Sequence, residues 1–337
     1  MPQPGALPSW HPESLAARLP FLRRRALLVQ ATRAFFLGHG YAEVETPYAV
    51  PTPGEEVHLR AFRTERETED GGRRALWLHT SPEFTMKRLL VAGVGPCFQL
   101  ARVWRNGEGG PLHAPEFTML EWYRPGATMD ALIEEAGLFL RSVLPPVVRC
   151  RGVEALSGPA ERITVAAAFR QWAGADVVGT AGNAAALAAQ AGAALREGET
   201  WEDLFFRLLL ERVEPQLGRE RPTALTHWPA AQAALARRDP ADPRVALRFE
   251  LFLCGMELAN AFEELTDADE QRARFLGDRA RRRALGGQEW PLDEDFVAAL
   301  GHGMPPCAGI ALGFDRLAMI AAGADRMGQV QWLPTED

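Results

Sequence analysis

One stretch, RNGEGGPLHAPEFTMLE at residues 105–121, limits what this chain can fold into more than any other. It crowds Arg105, His113, Phe117 and the acids Glu108, Glu116 and Glu121 into one loop and the strand that leaves it. Apolar runs flank it at 97–104 and 117–123. Two such runs joined by a glycine-bearing loop read as neighbouring antiparallel strands. Ordinary surface loops do not concentrate these residue types. A site that holds a triphosphate and a small cationic substrate does, because arginine's planar fork suits phosphate and never loses its charge. Phe117 alone reads as core; beside an arginine loop it also suits stacking on a flat base.

The rest of the chain alternates helical and strand patterns. Leu15, Leu19, Leu22, Ala26, Val29 and Phe36 recur at helical spacing, and Gly38 and Gly40 stop that helix. Its apolar face asks for a partner, which predicts a homodimer. Residues 41–47, YAEVETP, alternate like a strand ending at a proline. Ser81, Pro82 and Glu83 read as a helix opening, with serine as cap and proline first, and the helix runs to about Val91. Helices are predicted at 129–144, 165–172 and 201–213, around an Ala/Gly-rich stretch at 174–198. Together they form a helical insertion at about 130–220. Strands are predicted at 224–229, 248–259 and 309–314, and Asp267 with Glu270 reads as a capping box. Mostly antiparallel strands with helices between them favour an α+β fold.

Composition removes several function classes. The formal charge is -7, from 37 basic and 44 acidic residues, which argues against a large nucleic-acid footprint, so no tRNA is expected. Four cysteines stand far apart without a C-x-x-C, so zinc and a disulfide framework are disfavoured. No leader is visible and no apolar run reaches membrane length, so the expectation is a cytoplasmic protein that touches no membrane. Lys87 is the only lysine among the 37 basic residues. Base composition explains this best; selection against self-modification is the weaker alternative.

Two further strings carry candidate chemistry. GMELANAFEEL at 255–265 holds Glu257, Asn260 and Glu264. A strand there needs a bulge near Asn260 to bring both glutamates to one face. Carboxylates with oxygen-only partners suit Mg²⁺ bridging phosphates, while a solvated acidic face is an equal alternative. GIALGFDR at 309–316 places Arg316 in the first turn of a helix after a glycine bend, where anions are favoured.

The strings 41–47, 105–121 and 309–316 resemble motifs 1, 2 and 3 of class II aminoacyl-tRNA synthetases. More narrowly, HTSPE at 79–83, HAPEFTMLEWY at 113–123 and ELAN at 257–260 resemble the lysyl branch. The likeness covers nearly the whole chain as a single class II synthetase-like catalytic domain, 1–337, with an antiparallel sheet flanked by helices. The motif 1 helix starts near the first residue, which leaves no room for an anticodon-reading domain. The chain is therefore most similar to the elongation factor P lysine ligases, which attach (R)-β-lysine to a lysine of that factor. HWP at 227–229 and Pro125 also look like this group.

That resemblance implies roles residue by residue. Arg105 would hold the ATP α-phosphate; His113 and Arg316 the distal phosphates. Phe117 and Arg316 would sandwich adenine, and Arg105 and Arg316 would be the catalytic pair. Asn106, Gly107, Glu108, Leu258 and Gly313 fall in the ATP site. Glu257 and Glu264 would bind Mg²⁺ and triphosphate. Ser81, Glu83, Glu121, Tyr123, Asn260 and Glu264 would surround lysine or (R)-β-lysine, and Ala311, a glycine in lysyl-tRNA synthetases, would favour the β-isomer. The chain departs from the family at Gly107, where a glutamate helps read adenine, at Ala114 in place of asparagine, and at Glu263 in place of histidine. Either Glu108 substitutes through a shifted loop, or backbone makes the adenine contact. The implied function is ATP-dependent adenylation of the amino acid and its transfer to elongation factor P. A truncated lysyl-tRNA synthetase, a small-molecule amide ligase on the same core and a non-catalytic regulatory paralogue are the alternatives.

Overall fold

The structure is a computed structural model that describes residues 7–335. Its strands and helices divide between two compact units. One takes the described residues up to Gly126 and those from Thr266 onward; the other is Ala127–Leu265.

In the first unit the predicted N-terminal helix forms as Pro12–Gly38, capped by His11, whose Nδ1 accepts from the Glu13 amide at 3.3 Å. It buries Leu22, Leu28, Phe35 and Phe36. Phe36 is fully buried, stacked 4.8 Å from Phe98 and packed tilted against Trp122 at 5.1 Å. Burying one such ring contributes about 1.5–3 kcal/mol. The strand predicted at 41–47 shrinks to Ala42–Glu43, which pairs in parallel with Cys97 and Phe98. Pro47 has no amide to extend the ladder. The chain then joins a separate three-stranded sheet through Ala49–Val50, Arg73–Leu78 and Arg63–Glu67.

The two runs that flank the 105–121 loop are antiparallel strands, Cys97–Trp104 and Glu116–Pro125, in unbroken register from Cys97↔Tyr123 to Trp104↔Glu116. On its other edge Glu116–Pro125 pairs antiparallel with Cys307–Gly313, with Ala311 opposite Glu121 and Gly313 opposite Met119. Because side chains alternate across a strand, Phe117, Met119, Glu121 and Tyr123 share one face with Gly309, Ala311 and Gly313. Thr118, Leu120 and Trp122 take the opposite face, where the N-terminal helix and the helix Phe314–Ala322 pack.

A buried ion pair locks that opposite face. Arg25 donates to the Asp315 carboxylate and, at 2.8 Å, to Thr118 Oγ1. Asp315 Oδ2 accepts the Thr118 amide at 2.8 Å and is 0% exposed. One clasp therefore fixes the helix that carries Arg316 against the strand that carries Phe117.

The second unit opens with the predicted helix Met129–Val143, capped by Thr128. The helical insertion expected over 130–220 also contains strands at Val147–Cys150, Val153–Leu156 and Glu161–Thr164. The helix expected at 165–172 forms as Val165–Ala168 and widens into a π-helical turn at Phe169–Ala173. Trp201, Phe205 and Phe169 stack in series, at 5.3 Å and 5.0 Å, and fill this core with Trp228.

The single strand predicted at 248–259 is in fact a hairpin. Val245–Leu253 turns at Cys254 and Gly255 and returns as Met256–Glu263. Both turn residues have positive φ, 53° and 69°. Two left-handed residues in succession match the twist of the flanking strands, and a cysteine in the first position gives no sequence signal for this. The predicted strand at 224–229 forms as Thr223–Pro229 and pairs with Val245–Leu253.

Candidate active site

The first unit gathers most of the predicted residues on one sheet face and its loop. Arg105 leaves the strand with its guanidinium 5.3 Å from the centre of the Phe117 ring. Its Nε is buried and has no hydrogen-bond partner among the described residues. Burying a guanidinium N–H without an acceptor is unfavourable, so this position suits an oxyanion. Arg105 also lies 3.7 Å from Glu108. Gly107 sits between them at φ +84°, a left-handed turn in which a glutamate would be strained. The departure at Gly107 therefore has a local cause: the turn brings Glu108 to the arginine. Asn106 is held through its amide, 2.8 Å from the Arg60 carbonyl.

His113 and Arg316 come together across the loop. Arg316 Nη2 lies 2.7 Å from His113 Nε2, and Arg316 Nε donates to the Leu112 carbonyl at 3.4 Å. With arginine as donor, His113 Nε2 accepts, which places that ring's proton on Nδ1. Arg316 lies in the first turn of Phe314–Ala322, as expected. Gly313, at the cap of that helix, has φ −67° and so makes no left-handed bend. The strand ends at Gly313 and the helix begins at Phe314, so Gly313 is the joint between them.

The same strand carries a buried carboxylate side chain, Glu121. Glu121 is 0% exposed. Ser81 Oγ donates to its Oε1 at 2.6 Å and the Tyr123 hydroxyl to its Oε2 at 2.9 Å. Burial, then repulsion from Glu83, pushes the Glu121 carboxyl up to about 8, against the pull of both hydroxyls and Lys87. Ser81 Oγ accepts the Glu83 amide at 3.0 Å, the bond expected of a cap, with Pro82 already helical at the start of Glu83–Val91, and the same hydroxyl donates to Glu121. Glu83 accepts from Lys87 Nζ at 2.6 Å. Ala311 lies directly opposite Glu121 in the neighbouring strand.

The second unit holds Glu257, Leu258, Asn260 and Glu264. The register supplies the bulge that the sequence required, at Leu258 rather than at Asn260. Ala259 pairs with Leu251 and Glu257 with Phe252, so Leu258 is the extra residue. Asn260 pairs with Glu250, so Glu257, Asn260, Glu250 and Arg248 share one face. Arg248 is sandwiched 4.1 Å from the Trp228 ring and 5.9 Å from Phe262, and donates to Glu250 at 2.6 Å and Asn260 at 3.1 Å. Burial and the nearby Glu257 push the Glu250 carboxyl up, with Arg248 opposing. Glu263 faces structural partners, the Arg237 Nε at 2.8 Å and the Met129 amide at 2.9 Å. Glu264 is buried just past the strand, bridged to Ala236.

Among the described residues no group of three or more His, Cys, Asp or Glu gathers as a metal cage. Mg²⁺ does not need one, since it takes one or two carboxylates and completes its shell with phosphate and water. The carboxylates on the Glu257 face fit that mode, because their mutual repulsion is relieved by a cation. Sequence reasoning missed Arg25 and Asp315, and also Arg248, Glu250 and Lys87. Only HWP at 227–229 and the solitary lysine were signals for the last three.

Comparison with known proteins agrees with this geometry. A family model described as tRNA synthetases class II (D, K and N) matches residues 17–337. An elongation factor P--(R)-beta-lysine ligase of Haemophilus influenzae (strain PittGG) is 42% identical over 96% of this chain and 97% of its own length. Proteins of the same name from Mannheimia succiniciproducens and Klebsiella pneumoniae subsp. pneumoniae are 43% and 42% identical, each over 96% of both chains. The chain belongs to the class II tRNA synthetase family of the D, K and N type.

Proposed function

We propose that this protein is an ATP-dependent ligase that activates (R)-β-lysine, or lysine, and transfers it to a lysine side chain of elongation factor P. The name and full-length coverage of its relatives support the protein acceptor. The observation that supports the chemistry is one strand with a buried, unpartnered arginine Nε at one end and a buried carboxyl at the other. Arg105 and Phe117 stand at the first, Glu121 with Ser81 and Tyr123 at the second.

In the first step a substrate carboxylate oxygen attacks the ATP α-phosphorus. The bond to the bridging oxygen breaks and pyrophosphate leaves. Arg105, with its open Nε, is the donor for the α-phosphate. Arg316 and His113 neutralise the distal phosphates, and Phe117 with Arg316 brackets adenine, with Asn106, Gly107, Glu108, Leu258 and Gly313 in the nucleotide site. Donors already fixed where charge develops provide most of the rate. Mg²⁺, held by Glu257 and Glu264, would supply further charge neutralisation on the phosphates. Ser81, Glu83, Glu121, Tyr123, Asn260 and Glu264 bind the amino acid, and Ala311 beside Glu121 crowds an α-amino group.

In the second step the target amine attacks the acyl carbon, AMP leaves with the electron pair, and the new amide loses one proton. The chain is read as one catalytic domain and a homodimer in the cytoplasm. No helix among the described residues is long and apolar enough to cross a membrane.

ATP–pyrophosphate exchange with lysine, (R)-β-lysine and (S)-β-lysine tests the reading. Exchange strongest with (R)-β-lysine supports it. Exchange followed by charging of tRNA, with no transfer to protein, contradicts it.

A further inference from the structure

We infer that Lys87 is a positioning residue of the cation site: its ammonium orients Glu83 and fixes the local charge so that Glu83 and Glu121 admit one further ammonium, that of the amino-acid substrate. The inference rests on the proposed reading of Glu83 and Glu121 as substrate-binding.

The geometry is specific. Lys87 follows Glu83 by one helical turn, and its Nζ lies 2.6 Å from Glu83 Oε1. On a surface such a pair stabilises a helix only slightly. Here the Lys87 side chain is 2% exposed, and desolvating an ammonium costs far more than such a pair returns. Helix pairing alone does not offset that. Ser81 joins the pair to Glu121, accepting from the Glu83 amide and donating to the Glu121 carboxylate. Once Glu121 is ionised, two carboxylates and one ammonium leave one net negative charge, which a substrate ammonium neutralises. A compact ammonium also holds Glu83 as a point charge, where an arginine fork would span its carboxylate. In a chain whose other basic residues are all arginine, the one lysine stands where that difference matters.

The electrostatics run the same way. The groups facing Glu121 are Glu83 and Lys87 from the helix, Tyr123 from its own strand, Ser81, and the buried Cys97 thiol of the paired strand, itself pushed up by burial and by Glu121. Of these only Lys87 is a cation, and it lowers the Glu121 carboxyl. Without it Glu121 holds its proton to higher pH, and a protonated Glu121 cannot pair with an ammonium.

The test is amino-acid-dependent ATP–pyrophosphate exchange across pH for Lys87→Met, Lys87→Arg and the charge-restoring double variant Glu83→Gln/Lys87→Met. Lys87→Met is expected to raise KM for the amino acid about tenfold at neutral pH and leave KM for ATP unchanged. Its exchange should recover only at higher pH than the wild type. Lys87→Arg keeps the wild-type pH profile with a raised KM. The double variant, whose neutral pair removes the buried charge, returns the profile toward wild type while KM stays high. A Lys87→Met profile that coincides with wild type, or both KM values rising together, overturns the inference. If Lys87→Met does not fold, the double variant and Lys87→Arg decide on the same profiles. Wild-type protein without lysine-class exchange overturns the substrate reading itself, and the inference with it.

Discussion

Two hairpins bury a glutamate each, and they satisfy it in opposite ways. In Cys97–Trp104 and Glu116–Pro125, Glu121 receives two neutral hydroxyls, from Ser81 and Tyr123. In Val245–Leu253 and Met256–Glu263, Glu250 receives the guanidinium of Arg248, itself clamped on Trp228. Burial pushes both carboxyls up. The first is a carboxyl held by neutral donors, which a substrate ammonium can draw into its charged form. The second is already paired, so its task is to hold Arg248 and Asn260 in place. Burial alone does not mark a binding glutamate; the charge of its partners does.

The sharpest break of the comparison lies at the open end of the first hairpin. Arg105→Ala removes the donor with the unmatched Nε, and exchange should fall about a thousandfold with little change in thermal stability. A loss under tenfold would show that the phosphate sits elsewhere.

Next comes Glu121→Gln, expected to lower kcat/KM for the amino acid about a hundredfold while KM for ATP holds. Its stability effect has a definite sign. A carboxyl raised to about 8 in the folded state, from 4.5, costs stability as pH climbs through that window. The variant should therefore melt several degrees higher than wild type near pH 9 and equally near pH 4. A variant that melts lower at high pH would contradict the buried-anion reading.

Arg248→Met tests the second hairpin. Removing the cation strands Glu250, so amino-acid activation should fall about tenfold and stability should drop most at high pH. The two hairpins thus respond oppositely at alkaline pH, and thermal melts of both variants check it. The smallest effect belongs to Gly107→Glu. The residue the family pattern expects there meets φ +84°, which costs about 1–2 kcal/mol. KM for ATP should rise a few-fold rather than improve, as a titration of exchange rate against ATP would show.

The first hairpin was legible in the sequence because its signals are local. Two apolar runs joined by a glycine-bearing loop marked both strands, and Arg105, His113, Phe117 and Glu121 lie within one loop and strand. The N-terminal helix was legible from its period alone. The second hairpin was not, because its turn depends on Cys254 adopting a left-handed φ, which side-chain chemistry does not announce. Its bulge at Leu258 emerges only when the two strands are paired. The Arg25–Asp315 clasp joins residues 290 apart, beyond the reach of any periodicity. The capping bond of Ser81 was legible from a serine before a proline, but only the fold shows its hydroxyl also donating to Glu121.

The central claim is that this adenylating site serves a protein acceptor. The most direct test is the intact mass of elongation factor P after incubation with the protein, ATP, Mg²⁺ and (R)-β-lysine. The account expects a gain of one lysyl residue, localised to a lysine side chain and absent when ATP is omitted. An unchanged mass, under conditions where ATP–pyrophosphate exchange proceeds, would contradict it.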